Sequence, residues 1–192
     1  MKNNNTKPFY NTTIPCEWGA KSFKTANLKI IDGDRGKNYP SQNELFDTGH
    51  CIFLSAKNVT NNGFSFKEKT FITNEKDVIL SKGKLSKYDL VLTTRGSIGH
   101  IAYFDDTIPF ENLRINSGMV ILRNENDEIE NEYLYKYCSS FILQNQILKI
   151  SFGSAQPQLT VKEIAKFQIP LPPFPRTKSH CQSIEFNGHS YK

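Results

Sequence analysis

The side chains of this chain that could do covalent chemistry lack the partners such chemistry needs. Gly36-Lys37 has the ending of a phosphate-binding loop, but position 31, where the first glycine of that cradle belongs, is Ile31, and Asn38 follows the lysine. Gly63-Phe64-Ser65-Phe66-Lys67 offers a serine two residues after a glycine but not the closing glycine of a strained nucleophile elbow. No lysine has an acid two residues before it, the spacing a PD-(D/E)xK nuclease requires. Leu171-Pro172-Pro173-Phe174 has the outline of the N-P-P-Y loop of amino-methyltransferases, yet Leu171 cannot hydrogen-bond a target amine, and a glycine motif for S-adenosylmethionine is missing. Cysteines stand at 16, 51, 138 and 181 without C-x-x-C spacing, which leaves reduced structural thiols. His50-Cys51 and His180-Cys181 are adjacent pairs, and neighbours on a strand point to opposite faces, so neither is a metal site. Nucleotide hydrolysis, serine hydrolysis, metal-dependent DNA cleavage and self-sufficient methyl transfer are all left without support.

What remains is a chain of short strands and long polar loops. Its 192 residues fit one domain, with 38% hydrophobic and 22% charged residues and no apolar run long enough for a membrane helix. The polar start carries no apolar segment behind it, so a secretory signal is not expected and the cytoplasm is the expected site of action. Leu28 to Ile31, Cys51 to Ser55, Tyr88 to Thr94, Ile98 to Phe104 and Met119 to Arg123 read as strands. Asp32 to Pro40 is a glycine-rich polar loop, and Lys57 to Gly63 a turn. From 131 the period changes: Leu134, Tyr137, Cys138, Phe141, Ile142 and Leu148 make one apolar stripe on a helix. Thr160-Val161-Lys162-Glu163 matches a capping box that starts a brief helix, and Phe167 to Pro173 is an edge strand, because proline cannot donate to a ladder. The single tryptophan, Trp18, is expected to be partly buried. The net charge of +5 sits in the front half: residues 1–100 carry 15 Lys/Arg against 9 Asp/Glu, residues 101–192 carry 9 against 10. That asymmetry fits a polyanion partner, although an excess of this size is more often a solvated surface.

Several segments together resemble the target recognition domain of the DNA specificity (S) subunit of type I restriction-modification systems. They are Ile14-Pro15 with Trp18, Asp32 to Pro40, Phe53-Leu54-Ser55-Ala56-Lys57-Asn58-Val59, Asp89 to Gly99, Ile115-Asn116-Ser117-Gly118, and Gly153 to Leu159 running into Ile169-Pro170-Leu171-Pro172-Pro173. They span about residues 14–174 in family order. The resemblance implies an α/β (α+β) recognition domain with a twisted, mostly antiparallel sheet and C-terminal helices, preceded by a loose arm at 1–13 and followed by an atypical tail at 175–192. In that family a Glu/Gln-containing helical spacer follows the domain. Pro175 to Cys181 has no helical period, so the long spacer is expected to be missing or truncated, and assembly with partner subunits is open.

The resemblance also implies a non-catalytic module that reads one half of a bipartite site in double-stranded DNA. Methyltransferase (M) and restriction (R) subunits would supply methylation and cleavage, so S-adenosylmethionine, ATP and Mg are expected on those partners and no cofactor on this chain. Two half-subunits could also self-associate. Among the loops, Arg35, Lys37 and Asn38 sit on glycine hinges, from which Arg can bond guanine O6 and N7; the alternative is an ordinary turn. Lys57, Asn58 and Thr60 join a cation for phosphate to an amide suited to adenine, or else make a hairpin turn. Arg95 and Ser97 flank Gly96, where Arg95 either faces DNA or pairs with an internal carboxylate. Ser154 and Gln156 lie in a small-residue loop that either admits a DNA backbone or packs. The rival readings are a fragment of a DNA methyltransferase carrying its own recognition region, and a general protein-interaction domain with no preference for DNA.

Overall fold

The structure is a computed structural model that describes residues 5–151 and 158–173. In chain order the strands are β1 (Thr6–Phe9), β2 (Thr12–Pro15), β3 (Gly19–Ser22), β4 (Leu28–Asp32), β5 (Cys51–Leu54), β6 (Val59–Thr60), β7 (Gly63–Phe64) and β8 (Phe71–Ile72). Helix α1 (Asn74–Ile79) precedes β9 (Leu90–Thr93), β10 (Ile101–Tyr103), β11 (Leu113–Ile115) and β12 (Met119–Asn124). Helices α2 (Asn131–Cys138), α3 (Phe141–Ser151) and α4 (Val161–Ile164) lead to β13 (Gln168–Leu171). This is the expected mixed α+β fold with mostly antiparallel pairing.

A four-stranded antiparallel sheet in the order β10-β9-β12-β4 forms the centre. Strands β9 and β12 read as continuous apolar runs because both of their faces are covered. Leu90, Leu92, Val120 and Leu122 face one core, built with α2, α3, Trp18, Phe23 and Phe167. Val91, Met119 and Ile121 face a second, built with β5 and β11. A three-stranded sheet, β11-β5-β8, covers that side; its β11–β5 pair is parallel and β5–β8 antiparallel. The five strands expected from the sequence are all present with ends moved by a few residues, and Trp18 is buried.

Two expectations need correction. The arm expected to be loose over residues 1–13 is, from Thr6, a hairpin: β1 pairs with β2, and Phe9 is buried in the first core. The apolar stripe from 131 belongs to two helices. Ser140 Oγ donates to Tyr137 O at 2.7 Å and the chain restarts at Phe141, the local competition for carbonyls by which serine ends helices. Leu148 consequently leaves the stripe and is exposed. The capping box is present as expected, with Thr160 N–H donating to Glu163 Oε2 at 2.8 Å and Glu163 N–H to Thr160 Oγ1 at 3.3 Å. The edge strand is β13, which pairs with β3 and sets Pro170 opposite Ala20. The tail at 175–192 lies outside the described residues.

Candidate nucleic-acid interface

The central sheet delivers four loops to one end. Strand β4 ends at Asp32, β9 at Thr93, and β12 begins beside both, with Val120 opposite Asp32 and Met119 opposite Thr93. The glycine-rich loop after β4, the Thr94–His100 loop and the Asn116–Gly118 turn therefore emerge together, and Leu159 joins them by donating its N–H to Thr94 O at 3.1 Å. Thr94 donates its N–H and its hydroxyl to Gly118 O, at 2.9 and 3.0 Å. Gly33 lies so close to the turn that a Cβ there would stand 2.2 Å from Asn116 O, so only glycine fits. Between these loops opens a cleft of about 290 Å³ lined by Asp32, Arg35, Thr94, Val120 and residues Gln158 to Lys162.

Arg35 and Arg95 flank the same turn. Arg35 donates through Nη2 to Asp32 Oδ1 and to Ser117 O, both at 3.1 Å, while the Arg95 Cβ lies 4.0 Å from where a Gly118 Cβ would stand. Arg95 is exposed and has no hydrogen-bond or ion-pair partner among the described residues, so its pairing with an internal carboxylate is not what the fold uses. Gly96 beside it has φ +68, a backbone conformation glycine adopts without penalty. Ser97 is exposed on the same loop and its carbonyl accepts from Thr93 Oγ1. Lys37 is exposed without a partner among the described residues, whereas Asn38 is tied down, donating Nδ2 to Ile79 O and accepting from Lys76 Nζ, each at 3.3 Å.

The Lys57–Thr60 segment is organised differently. Asn58 is only 3% exposed, and its amide is fully engaged: Oδ1 accepts from Ser55 N–H and Oγ, and Nδ2 donates to Ser65 O at 3.0 Å and Glu68 O at 2.7 Å. It staples its own loop and would have to break that staple to meet a base. Lys57 pairs with Glu68 at 2.8 Å, and Thr60 Oγ1 donates to Gly63 O at 3.0 Å. This segment is joined to the Arg95 loop through His100, whose Nδ1 lies 3.1 Å from Val59 O. Ser154 and Gln156 lie outside the described residues.

Two cations of this end were not singled out from the sequence. Lys162 lines the cleft, and Lys82 is exposed next to Ser81, whose N–H and hydroxyl both donate to Asp34 Oδ2 at 2.9 Å. Neither ammonium has a partner among the described residues. The signal for Lys82 was Gly83, whose φ of +86 turns the chain against Gly33. Asp34 itself is buried and is held below the usual carboxylate range by the Gly36 N–H at 2.7 Å and then by Ser81, against the opposing effect of burial. Farther in, burial pushes the Asp77 carboxyl up, but Lys84 and Arg114 outweigh it and keep it below its ordinary value. Arg123 forks onto Asp89 at 2.9 and 2.7 Å. The arrangement is a rim of unpaired cations over loops braced by Asp34 and by the buried Asp77–Arg114 pair, suited to contacting phosphates while Arg35 is aimed by its two anchors.

Among the described residues no group of histidine, cysteine or acidic side chains could hold a metal ion, and no helix is long and apolar enough to cross a membrane. A family model described as "Type I restriction modification DNA specificity domain" matches residues 22–182. Three solved structures share the fold. A chain from work on complex assembly and conformational transition of the type I R-M system aligns with TM-score 0.64 and 17% identity over 91% of this chain and 39% of that one. The HsdS subunit from Thermoanaerobacter tengcongensis aligns with TM-score 0.63 and 16% identity over 93% and 38%. The type I restriction-modification S subunit from M. genitalium aligns with TM-score 0.58 and 16% identity over 87% and 38%. The chain thus spans about two fifths of the length of each of these three.

Proposed function

From the membership of this chain in the type I restriction modification DNA specificity domain family, which is plain from the match over residues 22–182, we propose that it reads one half of a bipartite double-stranded DNA target. A methyltransferase fragment is not favoured, since the match is to a specificity domain. The observation that carries the proposal is the gathering of Arg35, Lys37, Lys82, Arg95 and Lys162 around loops from one end of the central sheet. Phosphates meet the unpaired cations and set the register. Arg35 is anchored through both hydrogens of Nη2, to Asp32 and to Ser117 O, which holds the guanidinium in place and leaves Nη1 to donate singly to guanine O6 or N7 in the major groove. Recognition is then this chain's whole part: methyl transfer from S-adenosylmethionine and ATP- and Mg-dependent cleavage fall to M and R subunits, in the cytoplasm. A single half-site reader of this size binds weakly, and two copies would restore a bipartite reader.

Selection from a random duplex library at low and moderate salt, with and without an M subunit, tests this. Enrichment of one short asymmetric motif is the expected result. Salt-insensitive binding, or no binding to DNA under any condition, would overturn it. Light scattering that returns only monomer would remove the pairing of two copies.

A further inference from the structure

Two aliphatic side chains at the C-terminal end of α1 stand in water: Val78 is 74% exposed and Ile79 50%. Their helical neighbours Asp77 and Leu80 are buried, so the inward side of the helix is already taken and this pair is what it leaves outside. The pair is also fixed in place. Asn38 donates to Ile79 O, Lys76 donates to Asn38 O, and Ser81 donates twice to the Asp34 carboxylate that also holds Gly36. These bonds fasten the pair to the loop carrying Arg35 and Lys37, so whatever that loop approaches, Val78 and Ile79 approach with it.

The charges around the pair say what it meets. Unpaired Lys37 and Lys82 belong to the segments on either side, while the carboxylates that meet α1 are engaged: Asp77 with Arg114 and Lys84, and Glu44 with Lys76 of the same helix. Glu75 lies back in the first turn of α1, bonded to Thr73 at the N-cap. An apolar protein surface would leave both lysines unanswered, whereas a polyanion answers them. On duplex DNA the apolar feature flanked by phosphates is the thymine C5-methyl group in the major groove. We propose that Val78 and Ile79 read thymine methyl groups while Lys37 and Lys82 take the flanking phosphates, an inference that rests on this face binding DNA.

The test uses the full chain, fluorescence anisotropy and the motif returned by selection, with each thymine replaced in turn by deoxyuridine, which lacks the methyl. One or two such replacements should weaken binding roughly fourfold each, the value of one methyl group removed from water. The same replacements should do nothing to the double variant Val78→Ser/Ile79→Ser, whose unfolding midpoint stays that of the parent because both side chains are exposed. A motif insensitive to deoxyuridine, or an equal penalty in the double variant, would overturn the proposal. Lys37→Ala separates the two levels: if it weakens binding to every duplex while deoxyuridine has no effect, the thymine contact is wrong and the DNA-binding face stands. If Lys37→Ala and the serine variant both leave binding untouched, the face itself is wrong.

Discussion

Replacing Arg95 by alanine separates a cation that faces DNA from one that merely sits on the surface. Four cations of the loop end, Lys37, Lys82, Arg95 and Lys162, have no partner among the described residues. If each neutralises one phosphate, log Kd should rise with log salt at a slope of about 3.6, and raising salt from about 50 to 200 mM should weaken binding about 150-fold. Removing Arg95 should lower the slope by about 0.9 and shrink that loss to about 40-fold. Lys57 supplies the comparison. It is exposed too, but Glu68 stands 2.8 Å from its ammonium, so Lys57→Ala should leave the slope unchanged. Anisotropy titrations on a random-sequence duplex at five or six salt concentrations give all three slopes. An Arg95→Ala slope equal to that of the parent would refute the reasoning, as would a Lys57→Ala slope lowered by as much as Arg95→Ala lowers it.

Gly33→Ala sets a Cβ 2.2 Å from the Asn116 carbonyl oxygen, backbone against backbone, and should cost about 1–3 kcal/mol in a urea titration while loosening the loop end and weakening DNA binding; parent-like stability would show that the close approach is dispensable. Arg114→Ala leaves the buried Asp77 carboxylate with Lys84 as its remaining close cation and should destabilise by about 3–5 kcal/mol, whereas a loss below about 1 kcal/mol would mean that water enters the site. Asp34 has a folded pKa below its ordinary 3.8, so its ionised form stabilises the fold above that value and the contribution is lost as pH falls through the lowered one. Asp34→Asn should accordingly be less stable than the parent at pH 7, with the gap closing below about pH 4; a gap independent of pH would contradict this.

The elements that could be read from the sequence are those whose cause is local. Leu90 to Leu92 and Met119 to Leu122 are apolar without a break because both sides of the sheet are covered, and the Thr160–Glu163 capping box needs only four residues. What could not be read depends on distant partners. Asn58 has the residue type of an adenine reader, and only the fold reveals that Ser55, Ser65 and Glu68 use up its amide. Arg35 is held by Ser117, 82 positions away, and α1 is a six-residue helix whose exposed Val78 and Ile79 spoil any amphipathic period. At the break between α2 and α3 Ser140 bonds back to Tyr137, an option that serine has in any helix, so its presence in the sequence does not mark a break.

The weak charge signal has the same origin. A surplus of six over the first hundred residues counts every carboxylate as if it opposed the lysines, but the fold spends several acids elsewhere. Asp77 turns inward to Arg114 and Lys84, and Asp34 to the Gly36 and Ser81 N–H groups, while Asp89 pairs with Arg123 at the opposite end of β9. Near the loop end Asp32 alone pairs with a rim cation, and it does so through one nitrogen of Arg35, which orients the guanidinium rather than silencing it. The positive rim is therefore created by how the chain folds its acids away, and the buried pairs that brace the loops are also what leaves Lys37, Lys82, Arg95 and Lys162 unopposed. Bracing and binding are coupled at this end of the sheet: a loop stiff enough to hold its side chains in register pays less ordering entropy when it meets the duplex.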